Sequence, residues 1–159
     1  MQWSKLKSRL MALVDPGVGK RIDFHLMTYR KLSELASEFI VTVDGHKVFG
    51  ASATHYNRET YVTTRWTGLV ASGDGHEPRI VEQSLIGRNV LNPADITSSI
   101  RTYLDLDPKI ALCSSDPVLK ALAVIDRRTG RRTLNALEMA DDEHALVRAL
   151  YLLRMESMA

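Results

Sequence analysis

The chain has 159 residues, of which 45% are hydrophobic and 25% are charged, with 21 Lys and Arg residues against 19 Asp and Glu residues. This composition is typical of a globular protein, and it excludes an intrinsically disordered chain, a collagen-like repeat and a disulfide scaffold. The net charge of +2 is too small to indicate nucleic-acid binding by itself.

The cysteine content and the apolar runs indicate the expected compartment. Cys113 is the single cysteine and cannot form an internal disulfide, so a reducing cytoplasm is the expected location. The longest apolar runs, Leu10–Val14 and Ala121–Ile125, have five residues each, whereas a membrane span needs about 18. We therefore expect no membrane span and no membrane partner.

The chain begins with a predicted helix. Trp3, Leu6 and Leu10 recur at three- and four-residue spacing, which places them on one face of a helix. Asp15-Pro16-Gly17 is a stop signal for that helix. We expect Trp3 to pack onto the sheet that follows.

Residues 22–66 are predicted to form an antiparallel sheet. The alternation of apolar and polar residues at 22–27 predicts a strand with one buried face, and the run at 39–43 predicts a second strand. Asp44-Gly45 suits a tight hairpin turn, because such turns require positive φ angles, and it leads into a third strand at 47–51. The β-branched and aromatic residues at 61–66 indicate a fourth strand.

From Pro78 onward the periodicity becomes helical. Asn92-Pro93 and Asp116-Pro117 predict helix starts, because the first residue of each pair can cap free amides and proline is tolerated at the first helical position. Asp107-Pro108 begins a predicted short apolar turn, after which Cys113 is expected to be a buried structural thiol. A short helix near Leu134 and a terminal helix are predicted beyond it.

These elements together predict an α+β fold with an N-terminal helix, a small antiparallel sheet of three to four strands and a helical C-terminal half. A single domain over residues 1–159 is expected, with the helix and the sheet in residues 1–70 and the helical half in residues 78–159.

Three stretches of the sequence resemble one known family. They are the opening Trp-Ser-Lys-Leu-Lys at 3–7, the pair Tyr103-Leu104, and Ala-Leu-Ala-x-x-Asp-Arg-Arg-x-Gly-Arg-Arg-x-Leu at 121–134. In these the chain resembles a family of small bacterial proteins of unknown function. The resemblance implies a stand-alone, cytoplasmic, bacterial protein that begins at its natural N-terminus, and it implies no catalytic residues.

The strongest charge segregation lies between positions 120 and 132, where five basic residues stand against one acid. The basic residues are Lys120, Arg127, Arg128, Arg131 and Arg132, and the acid is Asp126. Four arginines around a glycine turn could bind a carboxylate or a phosphate, because guanidinium presents a planar fork of donors. Asp126 is expected to orient one of these arginines.

Two interpretations of this cluster compete. The arginines could cap the preceding helix and pair with the nearby acids, which are Glu138, Asp141, Asp142 and Glu143. Alternatively, they could contact a partner. An acidic protein is favoured, since the mild charge and the nearby acids suit a mixed-charge interface. A nucleic-acid-binding module is the alternative, although no aromatic residue lies within the cluster for base stacking.

An enzymatic alternative rests on histidines. His55 and His76 are predicted to lie in loops on either side of a strand, where two imidazoles could act as general acid and base on a phosphodiester without a metal. No metal-binding spacing is present, and Gly17-Val18-Gly19-Lys20 lacks the rest of a phosphate-binding loop. We therefore expect no metal and no cofactor, and we interpret 17–20 as a helix-to-strand turn.

Overall fold

The computed structural model describes residues 2–29, 36–66 and 77–159. Within these ranges the order of elements is α1 (Trp3–Leu13), α2 (Pro16–Gly19), β1 (Ile22–Thr28), β2 (Ser37–Val43), β3 (His46–Ser52), α3 (Ala53–Trp66), α4 (Glu77–Gly87), α5 (Pro93–Leu104), α6 (Pro108–Leu112), α7 (Pro117–Ile125), α8 (Arg131–Asn135) and α9 (Ala145–Ser157). The predicted α+β class is confirmed.

The sheet is antiparallel, in the order β1-β2-β3. Ile22 pairs with Val43 and Phe24 with Val41 across β1 and β2. Between β2 and β3, Asp44 and Gly45 take φ angles of 50° and 79°, as the predicted tight hairpin requires. The register shifts between Val41 and Thr42 on β2, opposite β3.

The leading helix covers one face of this sheet. Leu6 and Leu10 are each 1% exposed. The Trp3 ring meets the Phe39 ring of β2 edge to face, with centroids 5.7 Å apart, a geometry that the aromatic quadrupole favours. The predicted packing of Trp3 onto the sheet is confirmed.

The predicted fourth strand at 61–66 is wrong, because these residues lie in helix α3. Threonines of α3 are accommodated in the helix by hydrogen bonds to the preceding turn. The Thr60 hydroxyl donates to the Tyr56 carbonyl at 2.8 Å, and the Thr64 hydroxyl donates to the Thr60 carbonyl at 2.7 Å. A helix tolerates threonine in this way.

The centre of the helical half is α7, which is buried along its length. Residues 121–125 are each no more than 3% exposed, and α5, α6 and α9 pack around this helix. One cluster of buried side chains joins the sheet, α1 and the C-terminal helices. The strongly apolar sequence of α7 is thus explained by contact on all sides.

The turn predicted after Asp107 is the short helix α6, and its end corrects one prediction. Cys113 is exposed, so the expectation of a buried thiol is wrong. Cys113 caps α6, and its neighbour Leu112 takes the buried position instead, at 8% exposed. No helix in the described ranges is both long enough and apolar enough to cross a membrane.

Candidate functional site: the arginine turn

The arginine turn, residues 127–132, follows directly from the end of α7, and its last two residues are the first two of α8. The Thr129 hydroxyl donates to the Ala123 carbonyl at 2.6 Å, and so closes the last turn of the helix. The Arg127 amide donates to the Leu13 carbonyl at 2.8 Å, and the Asp15 amide donates to the Ile125 carbonyl at 2.8 Å. The chain after α1 therefore pairs with the start of the arginine turn.

Asp126 fixes the arginine turn from inside. Its carboxylate is 1% exposed and accepts the Tyr103 hydroxyl at 2.5 Å. It also accepts hydrogen bonds from three donor groups of Arg128, namely the amide at 2.7 Å, Nε at 3.0 Å and 3.2 Å, and Nη2 at 2.7 Å. The expectation that Asp126 orients an arginine is confirmed, and that arginine is Arg128.

These contacts also decide the charge state of Asp126. Burial alone would raise the pKa of its carboxyl, but the hydrogen bonds from Arg128 and Tyr103 outweigh burial and hold that pKa below its ordinary value. Burial and the hydrogen bond to Asp126 raise the pKa of Tyr103. Asp126 is therefore a buried carboxylate with its charge compensated, as a buried ion requires.

Helix α9 supplies a further contact through Arg154, which is 5% exposed. Arg154 forms an ion pair with Asp15 at 2.5 Å, and its Nη2 donates to the Thr129 carbonyl at 3.4 Å. Burial would raise the pKa of Asp15, but the hydrogen bond from Arg154 and its positive charge hold that pKa below the ordinary value. Arg154 thus joins α9, the end of α1 and the arginine turn.

Two of the five predicted binding residues are engaged within the fold. Arg128 pairs with Asp126 at 2.7 Å, and 40% of its side chain remains exposed. Lys120 on α7 pairs with Glu143, in side chains that are 20% and 11% exposed. The charges of Arg128 and Lys120 are therefore neutralised by acids of the same fold.

The other three predicted binding residues, Arg127, Arg131 and Arg132, are exposed and are not engaged within the described part of the fold. Their side chains form no ion pair or hydrogen bond with any residue in the described ranges. The acids that could have neutralised them, Glu138, Asp141 and Asp142, are also exposed and likewise make no ion pair within those ranges. The anchored turn and the first residues of α8 thus present to solvent three guanidinium groups without an ion-pair partner in the described ranges.

The predicted pair of histidines does not form a described site. His55 lies on helix α3, not in a loop as predicted, and its Nδ1 is 3.3 Å from Nη2 of Arg58 one turn later. His76 lies outside the described residues. Among the side chains that are described, no three His, Cys, Asp or Glu residues come together as metal ligands would.

A separate cleft of about 300 Å³ lies where α5 and α7 begin, and it has the opposite charge. Its carboxylates are Glu82, Asp95 and Asp116. Burial raises the pKa of Asp95, and the neighbouring charge of Asp116 raises it further. The described residues that line this cleft include no Lys, Arg or His, so it does not suit an acidic partner.

Sequence reasoning missed Tyr103 and Arg154 as parts of the arginine turn. One signal for Tyr103 is present: it lies on the apolar face of α5, beside Ile96 and Ile100. A tyrosine on a buried face needs a partner for its hydroxyl, and Asp126 is such a partner. Nothing local marks Arg154, which contacts Asp15 from the far end of the sequence.

Comparison with known proteins assigns the chain to a family. The model of the SF0329 protein family matches residues 2–155, and the chain belongs to this family. The matched range includes all three stretches on which the resemblance rests. No curated protein and no solved structure matches the chain.

Proposed function

We propose that this member of the SF0329 family is a non-enzymatic binding protein of the bacterial cytoplasm that contacts an acidic protein partner through the arginine turn. One observation carries the proposal. Arg127 lies exposed on a turn whose main chain is anchored, and Arg131 and Arg132 lie exposed at the start of α8, directly after it; none of the three has an ion-pair partner among the described residues. The bacterial and cytoplasmic parts rest on the family resemblance and on the single cysteine.

Anchoring supports recognition for an energetic reason. A flexible loop loses conformational freedom when it binds, and that loss weakens the complex, whereas a fixed turn has lost this freedom already on folding. Asp126, Tyr103 and Arg154 hold the turn in the free protein. These contacts fix Arg127 before a partner arrives, and the main-chain hydrogen bonds of α8 hold Arg131 and Arg132 on its first turn.

A protein partner is favoured over nucleic acid because of the surrounding charge. The whole chain has a net charge of +2, and the exposed acids Glu138, Asp141 and Asp142 follow the arginine turn closely in sequence. These acids would repel a continuous phosphate backbone, but they can pair with basic residues of a mixed-charge protein surface.

The test compares two triple variants by fluorescence anisotropy with a labelled deca-glutamate peptide as probe. In the first variant, Arg127, Arg131 and Arg132 are each changed to Glu, and Arg128 is kept because it holds the turn. In the matched control, three exposed basic residues without an ion pair in the described ranges, Lys5, Lys20 and Arg101, are changed to Glu. The two variants change the net charge by the same amount.

We expect the first variant to lose about tenfold or more in affinity, because each reversed charge repels the peptide, while the control stays within about twofold of the wild type. Equal losses in both variants, or no binding to the wild type, would overturn the proposal. A duplex oligonucleotide serves as a second probe. If it binds more tightly than the peptide, with a salt slope of about −0.9 for each phosphate contacted, the partner is nucleic acid instead.

A further inference from the structure

The acidic segment, residues 138–142, lies between α8 and α9 and carries a second cluster of charges. Its exposed carboxylates are Glu138, Asp141 and Asp142. None of them forms an ion pair within the described ranges, although three exposed arginines of opposite charge precede them by a few residues. The fold therefore leaves three positive and three negative side chains unpaired with one another.

The main chain of the acidic segment is anchored to α9. Nη2 of Arg148 donates to the Ala140 carbonyl at 2.8 Å and to the Asp141 carbonyl at 3.0 Å. Directly after the segment, Glu143 pairs with Lys120 of α7. The acidic segment is thus fixed in the free protein, so it has little conformational freedom left to lose when it binds.

Helix α9 also determines how far apart the two clusters lie. The Tyr151 hydroxyl donates to the Leu134 carbonyl of α8 at 3.4 Å, and Nη2 of Arg154 donates to the Thr129 carbonyl of the arginine turn at 3.4 Å. Together with Arg148, these side chains follow one another at three-residue spacing, so they are neighbours on the helix surface. The chain from the arginine turn to the acidic segment therefore runs antiparallel to α9, and the two points of attachment are about 9 Å apart along its axis.

A second copy of the chain carries the same two clusters in the same order. A twofold axis that passes between the clusters, perpendicular to α9, reverses this order in the second copy. The arginines of each copy then face the acidic segment of the other copy, and every contact is made twice. Two surfaces that each carry three unpaired charges of either sign are complementary in this arrangement.

We propose that the acidic partner of the arginine turn is a second copy of this chain, with Arg127, Arg131 and Arg132 of each copy facing the acidic segment of the other. The inference rests on the proposed function and names its partner. Exposed ion pairs are individually weak and are screened by salt. The dimer therefore forms with rising protein concentration and dissociates at high salt.

The test is sedimentation velocity of the full chain at protein concentrations from about 1 μM to about 1 mM. It is carried out in about 0.1 M and about 1 M NaCl, between which the screening length falls from about 10 Å to about 3 Å. The first variant has Glu at positions 127, 131 and 132, and the second has Lys at positions 138, 141 and 142. The matched control is again the variant with Lys5, Lys20 and Arg101 changed to Glu. Circular dichroism verifies that each variant folds.

We expect the wild type and the control to approach twice the monomer mass in about 0.1 M NaCl, and the wild type to be monomeric in about 1 M NaCl. Each of the two charge-reversed variants stays monomeric alone, because like charges face each other at both contacts. An equimolar mixture of the two variants pairs again, because opposite charges are restored at both contacts.

A wild type that stays monomeric, a charge-reversed variant that still dimerises, or a mixture that does not pair overturns this inference. The deca-glutamate assay then separates it from the proposed function. If the peptide binds at the arginines, the partner is a different acidic protein and the proposed function stands. If the peptide does not bind either, the proposed function fails as well.

Discussion

At the scale of single residues, the buried carboxylate of Asp126 determines what the neighbouring arginines can do. It accepts hydrogen bonds from the Arg128 guanidinium and from the Tyr103 hydroxyl, and so ties Arg128 to the fold. A buried carboxylate that lost these donors would cost several kcal/mol. Arg128 is therefore a structural residue of the turn, whereas Arg127, Arg131 and Arg132 remain available for binding.

Tyr103→Phe tests this role of the buried carboxylate. The change removes a 2.5 Å hydrogen bond from a fully buried hydroxyl to Asp126, and bonds to charged groups contribute about 1.5–3 kcal/mol. We expect the free energy of unfolding in urea to fall by that amount. The control is Tyr151→Phe, whose half-buried hydroxyl donates to Leu134 at 3.4 Å, and which should lose less than about 1 kcal/mol. Equal losses would contradict the role of Tyr103.

His144 gives a pH dependence whose sign follows from its surroundings. Its Nδ1 accepts the Leu146 amide at 3.1 Å, and its buried Nε2 has no partner among the described residues. Burial lowers the pKa of His144, although the negative charges of Glu143 and Asp116 oppose this. Because the unfolded chain then binds a proton more readily, the contribution to stability is present above about pH 6.5 and is lost as the pH falls through the lowered pKa.

The measurement for His144 is thermal unfolding at pH 7.5 and at pH 5. His144→Asn keeps a capping oxygen at the start of α9 and removes the titrating ring. We expect the wild type to lose more stability than His144→Asn between the two pH values. Parallel losses in both proteins would show that His144 does not titrate as its burial requires.

Contacts between residues close in the sequence can be predicted from it, whereas contacts between distant residues cannot. The sequence predicts that Asp126 orients one of the neighbouring arginines, and the structure identifies it as Arg128, two positions away. The contacts of Tyr103 and Arg154 span 23 and 25 positions, and they depend on how α5 and α9 pack against α7. Local periodicity carries no information about that packing, so these two residues are found only in the structure.

At the scale of elements, capping residues account for most of the correctly predicted helix starts. The Asp116 carboxylate accepts the Val118 amide at 2.8 Å, and Asn92 accepts the Ala94 amide at 3.0 Å. Each residue precedes a proline, as predicted. Helix α3 was missed because its β-branched residues suggest a strand, while Thr60 and Thr64 satisfy their hydroxyls within the helix.

Asp116→Ala tests how strongly a cap stabilises the central helix. Besides its amide contacts, Asp116 accepts the Ser99 hydroxyl at 2.5 Å and so ties α5 to α7. We expect a loss of about 1–2 kcal/mol in the free energy of unfolding, read from tryptophan fluorescence in urea. Asp107→Ala, which removes the side-chain cap of the five-residue helix α6, should cost less. A larger loss for Asp107→Ala would contradict the central place of α7.

At the scale of the whole molecule, the sheet with α1 and the C-terminal helices share one buried core, and the arginine turn lies where the chain after α1 meets the end of α7. The Asp15 and Arg127 amides bond across this junction, and Arg154 joins it from α9. A turn held by three distant parts of the chain is rigid, since local opening would break all of these contacts together.

The whole-molecule arrangement therefore predicts where an acidic partner binds. Isotopically labelled protein is titrated with the deca-glutamate peptide, and the chemical shift of each backbone amide is followed by NMR. We expect the largest changes at residues 127–132, with the amides far from this turn unperturbed. Changes concentrated elsewhere, or saturable binding without any change at 127–132, would contradict the assignment of the arginine turn as the binding surface.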